Sequence, residues 1–180
     1  KALGVDTNDS GKGVAVEDFN QDGYLDIVTG GTFNTLKYYE NDRGIKFTDK
    51  TASVGLSHII QPYIITAADY NNDGWIDIFV ARPFHRFGLY RNNRDGTFSD
   101  VTFSSGLLAE EPADDQAIYT CVSAWADIDN DGDLDLFLAQ FGQKYPLLGG
   151  LLSRTPMSSR LFMNEGENHH FVDRTDAYGL

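Results

Sequence analysis

Three nine-residue segments constrain this chain more than any other feature of its sequence. They occupy residues 18–26 (Loop 1), 69–77 (Loop 2) and 127–135 (Loop 3), and each reads Asp-x-Asp/Asn-x-Asp-Gly-x-x-Asp. Alternate residues of a tight loop bring their oxygens to one side, where like-charged carboxylates repel one another. Ca²⁺ removes that repulsion, since it accepts about six to eight oxygen ligands in flexible geometry, and the glycine at the sixth position allows the bend around the ion. The pattern therefore predicts three calcium loops.

The EF-hand is the familiar alternative for such a loop, and the sequence argues against it. An EF-hand loop needs a bidentate Glu at its twelfth position and a helix on each side. The twelfth positions here hold Thr29, Val80 and Leu138, none of which can chelate a cation. An apolar run of β type follows each loop directly, which favours strands. Asp, Asn and Gly also form ordinary turns without a metal, but three copies of the same polar positions argue against that simpler interpretation.

The acidic composition is consistent with metal binding. The chain has 27 acidic and 14 basic residues, a formal net charge of −13, and 11 of its acidic residues lie within the three loops. Three bound Ca²⁺ ions would bring the net charge to about −7, which is within the range of a soluble domain. Negative charge argues against a nucleic-acid or anionic-membrane partner. The sequence shows no signal peptide and no apolar run that could span a membrane, so we expect no membrane insertion.

The similarity among the three units extends well beyond the loops. After each loop comes an aromatic segment that ends in Asn, then a turn with glycine, a Phe-x-Asp-x-Thr segment and a closing Gly-Leu pair. The markers are Asn41, Phe47, Thr51 and Gly55 in the first unit, Asn92, Phe98, Thr102 and Gly106 in the second, and Asn164, Phe171, Thr175 and Gly179 in the third. Successive loops begin 51 and 58 residues apart. A repeat of this length indicates an array of similar supersecondary units.

Each unit offers four short strands, and four antiparallel strands about every 50 residues are typical of a propeller blade. In the first unit the strands are predicted near residues 12–17, 25–30, 35–41 and 45–50. The sequence therefore predicts an all-β chain of three four-stranded antiparallel repeats of the β-propeller type. The predicted repeat boundaries are 1–56, 57–107 and 108–180. Small residues before each loop suit the innermost strand, and the repeated Phe and Leu residues should pack between neighbouring blades.

Two insertions interrupt the third unit. The first, near residues 108–115, carries four carboxylates and is interpreted as a solvated loop, with a further cation site as the alternative. The second, near residues 140–159, is apolar over residues 145–152. An apolar insertion on a blade edge packs either onto its own chain or onto a partner, and the sequence leaves both interpretations open.

With these motifs in place, the chain resembles the FG-GAP/VCBS repeat family. It looks closest to the ASPIC/UnbV-type secreted proteins, on the strength of residues 89–98 and of residues 11–15 before Loop 1. The resemblance implies a calcium-stabilised β-propeller like the head of integrin α chains. It also implies side-chain ligands at loop positions one, three, five and nine, and a backbone carbonyl at position seven. The implied ligands are Asp18, Asn20, Asp22, Tyr24 and Asp26 in Loop 1, Asp69, Asn71, Asp73, Trp75 and Asp77 in Loop 2, and Asp127, Asp129, Asp131, Asp133 and Asp135 in Loop 3.

The number of repeats departs from the pattern of this family. The relatives usually close a ring of about seven blades, and propellers have about four to eight. Three blades cannot close. The chain is therefore predicted either to belong to a longer protein or to be completed by other copies, and heterologous contacts between copies would give a ring or an open filament.

These observations predict a non-enzymatic, extracellular calcium-binding module for adhesion, ligand display or structural self-assembly. The expected partner is a protein or glycan ligand at the surface, or other copies of the chain. The four histidines form no recognisable catalytic or metal-binding set, and the carboxylate pairs that might act as acid and base are assigned to the cation. The alternative is part of a secreted enzyme or carbohydrate-binding protein whose active residues lie outside this chain. Asn8 is a candidate for N-glycosylation, in the sequence Asn-Asp-Ser.

Overall fold

The chain folds into three four-stranded antiparallel sheets, each of which keeps its strands in chain order. The computed structural model describes residues 4–5, 11–31, 33–82, 85–109, 120–140 and 159–180. Within these ranges there is no α-helix, and a short 3₁₀-helix covers Asp176–Tyr178. The predicted all-β class with blade-like sheets is therefore confirmed. Asn8 and most of the two predicted insertions lie outside the described residues.

The strands fall into three blades of four. Blade 1 contains β1 (Gly13–Glu17), β2 (Asp26–Gly30), β3 (Lys37–Asp42) and β4 (Lys46–Asp49). Blade 2 contains β5 (Ile64–Ala68), β6 (Asp77–Ala81), β7 (Gly88–Asn92) and β8 (Phe98–Asp100). Blade 3 contains β9 (Thr120–Ala126), β10 (Asp135–Gln140), β11 (Arg160–Glu165) and β12 (His170–Asp173). The four strands predicted for the first unit agree with the structure to within about two residues at each end.

Blade 2 lies between blades 1 and 3, and an apolar core fills each of the two interfaces. The core between blades 1 and 2 includes Val28, Leu36, Leu56, Ile65, Ile78 and Tyr90, with Phe98 packed against it. The core between blades 2 and 3 includes Phe79, Leu89, Leu107, Leu136, Phe162 and Phe171. All five residues of β6 are buried, because β6 has a neighbouring blade on each face. The prediction that repeated Phe and Leu residues pack between blades is confirmed.

The strands that precede the loops come closest together. β5 packs against β1 on one side and β9 on the other. A Cβ atom added at Gly13 would lie 2.9 Å from the backbone nitrogen of Ile65, so β1 has room only for a very small residue there. This crowding accounts for the glycine at position 13. The predicted innermost position of these strands is therefore supported by the packing.

The Asp-x-Thr part of each repeat ties the last strand of a blade to the third. Asp100 accepts hydrogen bonds from the backbone N–H (3.0 Å) and the hydroxyl (2.6 Å) of Thr102. The Thr102 oxygen in turn accepts a hydrogen bond from the backbone N–H of Leu89 (2.9 Å). The same three groups are Asp49, Thr51 and Tyr38 in blade 1, and Asp173, Thr175 and Leu161 in blade 3. The repeated sequence motif is therefore a repeated hydrogen-bond relay.

The Asn that ends the third strand joins one blade to the preceding one. The side-chain N–H of Asn92 donates to the carbonyl of Phe19 in blade 1 (2.8 Å). The side-chain N–H of Asn164 donates in the same way to the carbonyl of Tyr70 in blade 2 (2.8 Å). Both Asn residues are buried. Each interface between blades therefore contains a polar link beside its apolar core.

The blade-closing glycine approaches the neighbouring blade closely. At Gly106 (φ +84°) an added Cβ would come within 2.5 Å of the carbonyl oxygen of Phe171 in blade 3. Gly4 (φ +84°) lies in the same way against blade 1, where a Cβ would come within 2.3 Å of the carbonyl oxygen of Phe47. Gly4 therefore makes against blade 1 the close approach that Gly106 makes against blade 3.

Replacing the relay threonine tests the role of its hydroxyl. Thr102 is fully buried, and Thr102→Val keeps its shape but leaves the N–H of Leu89 without its acceptor. We expect the free energy of unfolding to fall by about 1–3 kcal/mol, the usual effect of leaving a buried donor unpaired. Urea unfolding measures the change. Thr102→Ser retains the acceptor and should lose clearly less, so equal losses for the two variants would contradict the relay.

The relay carboxylate should make stability depend on pH. Burial raises the pKa of Asp100, but hydrogen bonds from Thr102 and Arg86 outweigh it and hold that pKa below its ordinary value. A carboxylate with a lowered pKa stabilises the fold above its unfolded pKa of about 3.9, and this contribution is lost as the pH falls through the folded pKa. We expect the stability difference between wild type and Asp100→Asn to be full near neutral pH and to shrink below pH about 4. Urea unfolding over a pH series would show a constant difference if this reasoning is wrong.

A comparison of two Asn residues isolates the link between blades. Asn92 donates to Phe19 of blade 1 and to Ile76 of its own blade, whereas the hydrogen bond of the equivalent Asn41 amide within the described part of the chain goes to Leu25 of its own blade. Asn92→Ala should therefore reduce the free energy of unfolding by about 1 kcal/mol more than Asn41→Ala. Denaturant unfolding of both variants provides the measurement. The larger loss at Asn41 would show that the link contributes nothing.

Candidate metal centres

Each acidic loop connects the first and second strands of its blade. Loop 1 joins β1 to β2, Loop 2 joins β5 to β6, and Loop 3 joins β9 to β10. The flanking elements are paired antiparallel strands in all three cases. An EF-hand requires helices at these places, so the structure confirms that these loops belong to a different class.

Within each loop the chain curls around the first carboxylate. The two oxygens of Asp18 accept hydrogen bonds from the backbone N–H groups of Asp22 (3.1 Å) and Gly23 (2.9 Å). The first residues of the other loops, Asp69 and Asp127, accept the equivalent pairs at 2.7–3.1 Å. This wrapping brings successive polar side chains to the inside of the turn.

The third and fifth positions continue the same pattern. Asn20 accepts a hydrogen bond from the backbone N–H of Asp22 (3.1 Å), and Asp22 accepts one from the backbone N–H of Tyr24 (2.9 Å). The corresponding acceptors in the other loops are Asn71, Asp73, Asp129 and Asp131. The backbone at position seven is thereby held against the fifth side chain. Positions one, three, five and seven of each predicted ligand set are therefore gathered in one turn.

Two left-handed residues produce the bend. The fourth residues, Gln21, Asn72 and Asn130, have φ of 57°, 51° and 62°. The sixth residues, Gly23, Gly74 and Gly132, have φ of 88°, 85° and 97°. A residue with a side chain rarely adopts φ near 90°, so glycine is required at the sixth position. The bend that the sequence predicted at this glycine is confirmed.

Loop 3 has the densest group of carboxylates. One oxygen from each of Asp127, Asp129 and Asp135 lies within 4.8 Å of the others. Desolvation and the neighbouring Asp131 raise the pKa of Asp129 above its ordinary value. Loops 1 and 2 have Asn at the third position and Tyr or Trp at the seventh, so each has two carboxylates fewer than Loop 3. Clustered oxygen donors of this kind suit a hard cation such as Ca²⁺.

The ninth residue has a second role that the sequence did not indicate. Asp77 is buried, and it accepts hydrogen bonds from the backbone N–H groups of Asn92 (2.7 Å) and Tyr70 (3.3 Å). It therefore connects the start of its loop to the end of the third strand. Asp26 and Asp135 are equally buried and bind the N–H of Asn41 (2.8 Å) and of Asn164 (2.9 Å). The sequence offered one indication of this link, because the interval from the ninth loop residue to the Asn is the same in the first two units.

Burial raises the pKa of two of the ninth carboxylates, Asp26 and Asp77. Burial raises the pKa of Asp77 to about 7, although the N–H of Asn92 acts in the opposite direction. Burial likewise raises the pKa of Asp26. In the same blade, burial and the hydrogen bond to Asp26 raise the pKa of Tyr38. A cation beside such a carboxylate would favour its ionised form.

The three loops differ in their outer contacts. In Loop 2 the guanidinium of Arg94 pairs with Asp73 (Nη2 to Oδ2, 2.9 Å). Burial raises the pKa of Asp73, but Arg94 and the N–H of Trp75 outweigh it, so the net shift is downward. In Loop 3, Nδ1 of His169 lies 3.7 Å from Asp133. These contacts come from residues outside the motif and could not be inferred from loop spacing.

Comparison with known proteins agrees with the repeat structure. A family profile for the FG-GAP-like repeat matches residues 18–80 and 69–138. Each match begins at the first Asp of a loop and ends in the second strand of the next blade. The comparison with curated proteins gives no significant match.

The matches cover the three loops and the repeat markers of the first two units. Together they extend over residues 18–138, which is more than half of the chain. They do not test the finer resemblance to ASPIC/UnbV-type proteins, which stays a prediction. The chain belongs to the FG-GAP-like repeat family.

Proposed function

We propose that this chain is a calcium-stabilised, non-enzymatic repeat module that acts outside the cell in adhesion, ligand display or structural assembly. The observation that carries the proposal is the formation of the same oxygen-lined turn three times, at equivalent places in three blades. Backbone N–H groups orient the side chains of each turn, but they do not neutralise its charge. A divalent cation supplies that neutralisation.

The donor set fits Ca²⁺ better than other common metals. Every implied ligand in the three loops is a carboxylate, an amide oxygen or a backbone carbonyl, and such ligands select hard cations over zinc or copper. The ligands come from a flexible turn, which suits the variable geometry of Ca²⁺ better than the strict octahedron of Mg²⁺. When bound, the ion would hold the turn closed. Because Asp77 also binds the third strand, ion binding would stabilise the whole blade.

Cation binding rather than catalysis accounts for the charged residues of the loops. A cavity of about 560 Å³ elsewhere in blade 3 is bordered by Gln140, Arg160, Asp173 and Arg174. Arg160 lies 3.7 Å from Asp173, and Arg174 pairs with Glu165 at 2.7 Å. Arg160, Asp173 and Arg174 therefore already have partners. The Thr175 hydroxyl also borders the cavity, but it donates to Asp173 and accepts the backbone N–H of Leu161, so it is held in the structural relay of blade 3. This supports a binding or structural role.

A location outside the cell agrees with the expected affinity. Extracellular calcium modules bind the ion at about 10⁻⁴–10⁻³ M, whereas intracellular sensors use tighter sites. The described helical segment is far too short to span a bilayer. The net charge of −13 supports a partner other than nucleic acid.

The outer faces of blades 1 and 3 support a role in assembly. The second loop residue is buried in the two interfaces, with Phe19 2% and Tyr70 5% exposed, whereas the equivalent Ile128 of blade 3 is 40% exposed. Val122 of blade 3 and Val14 of blade 1 are also exposed, at 54% and 59%. These residues occupy positions that blade-to-blade packing covers elsewhere in the molecule. We propose that further blades cover them, from a longer chain or from other copies.

Removal of calcium should destabilise the protein. A ligand at 100 times its Kd adds about 2.7 kcal/mol to the free energy of unfolding for one site. We therefore expect Ca²⁺ to raise the melting temperature, and excess EDTA to reverse this. Calorimetric titration of the full chain should give about three Ca²⁺ ions per chain, and about two for Asp131→Ala, in which Loop 3 loses the side-chain ligand at its fifth position.

Glu167→Ala is the matched control for this experiment. Glu167 is an exposed carboxylate in the turn between β11 and β12, outside the loops. This variant removes the same charge and should retain the wild-type number of bound ions. A melting temperature that EDTA does not change, or an equal loss of ions in both variants, would refute the calcium assignment. Hydrolase or lyase activity of the purified chain would refute the non-enzymatic assignment.

A further inference from the structure

Each acidic loop touches the next one through the residue at its fourth position. The side-chain N–H of Gln21 in Loop 1 donates to the carbonyl of Gly74 in Loop 2 (2.6 Å). The side-chain N–H of Asn72 in Loop 2 donates to the carbonyl of Gly132 in Loop 3 (3.1 Å) and to the carboxylate of Asp133 (2.7 Å). The donor and the acceptor occupy the same loop positions in both pairs. The contact is therefore a repeated feature of adjacent blades.

The backbone conformation explains how the fourth residue reaches the next loop. Gln21 and Asn72 both have left-handed φ, and both side chains are on the exposed side of the turn. The side chains at positions one, three and five are instead bound by N–H groups of their own loop, as Asp69 and Asp73 are in Loop 2. One residue of each motif is thereby directed to its neighbour.

The acceptor lies in the most sensitive part of the receiving loop. Gly74 stands between Asp73, whose carboxylate is an implied ligand, and Trp75, whose backbone carbonyl is the implied ligand at position seven. The peptide carbonyl that Gln21 binds therefore belongs to the left-handed glycine that sets the direction of this segment.

We propose that the fourth residues of Loops 1 and 2 are positioning residues for the cation site of the following blade. Gln21 positions Loop 2, and Asn72 positions Loop 3. This inference depends on the proposed calcium function, and it adds that the sites of Loops 2 and 3 are each completed by a residue from the preceding repeat. Calcium affinity at one loop is then set partly outside its own nine residues.

The inference predicts an asymmetry along the array. Asn130 has the same place and the same left-handed conformation in Loop 3. Within the described ranges, no hydrogen bond joins its side chain to another loop. Asn130 therefore serves as a control that has the loop position but not the contact.

Loop 2 contains its own optical reporter. The chain has two tryptophans, Trp75 at position seven of Loop 2 and Trp125 in β9. Tb³⁺ has a size and oxygen preference close to those of Ca²⁺, and it luminesces when energy reaches it from a nearby indole. Trp125 packs against Phe79 and Phe171, so Trp125→Phe keeps an aromatic ring there. In that background, luminescence excited through tryptophan reports Tb³⁺ bound at Loop 2.

The test compares Gln21→Gly with Asn130→Gly in the Trp125→Phe background of the full chain. Glycine removes the side-chain amide and accepts positive φ, so neither variant introduces backbone strain. We expect Gln21→Gly to raise the Tb³⁺ concentration for half-saturation of Loop 2 about two- to tenfold, the value of one hydrogen bond. Asn130→Gly should leave it unchanged. Competition with Ca²⁺ should give the same ratio between variants.

The outcomes separate this inference from the calcium assignment. If the parent protein shows no tryptophan-sensitised Tb³⁺ luminescence that Ca²⁺ displaces, the proposed function fails. If the parent binds Tb³⁺ and both glycine variants have the same half-saturation, the positioning role is refuted. The melting temperature in EDTA tests whether Gln21 contributes to stability alone. If Gln21→Gly lowers this melting temperature but leaves the half-saturation of Loop 2 unchanged, the positioning role is also refuted.

Discussion

The repulsion among carboxylates crowded into three short turns is the constraint on which the rest of the structure depends. Backbone N–H groups within each turn bind the first, third and fifth side chains and fix their directions. These hydrogen bonds stabilise the individual side chains but leave the net negative charge of the turn unchanged. The same arrangement recurs in every blade, so it follows from the motif and not from the surroundings of one loop.

The ninth carboxylate links the charge of each loop to the structure of its blade. Asp77 is buried where its loop, its second strand and the end of its third strand meet. It is therefore at once an implied cation ligand and an acceptor for the backbone of two elements. Its pKa, raised by burial to about 7, shows how poorly the ionised form is stabilised by the protein alone. Cation binding and blade formation are thus expected to depend on the same side chain.

Sequence spacing predicted the repeated parts of this molecule accurately, because each repeat places the same residue types at equivalent positions of its blade. The strands of the first unit, the bend at Gly23 and the packing of Phe98 between blades all followed from the pattern. The sequence showed Thr102 as a repeated residue but did not show its role. Spacing alone does not reveal that the hydroxyl oxygen of Thr102 accepts a hydrogen bond from the backbone N–H of Leu89.

Sequence spacing could not predict the contacts that residues of other turns and other blades make with the loops. Arg94 reaches Asp73 from another turn of the same blade, and Gln21 reaches Gly74 from another blade. Neither partner is near in sequence, and neither pair recurs with the same residue type in all units. Only the relative placement of folded blades brings these groups together.

The hydrogen bonds between adjacent loops give the array a direction. Every donor, Gln21 or Asn72, belongs to the earlier blade, and every acceptor glycine belongs to the later one. The bonds from Asn92 and Asn164 run the opposite way, to Phe19 and Tyr70. The outer face of blade 1 and the outer face of blade 3 therefore match each other in the way that adjacent blades do. An isologous dimer would bring the same face of two copies together and would not repeat these pairings, so a neighbour that repeats them must continue in the same sense along the stack.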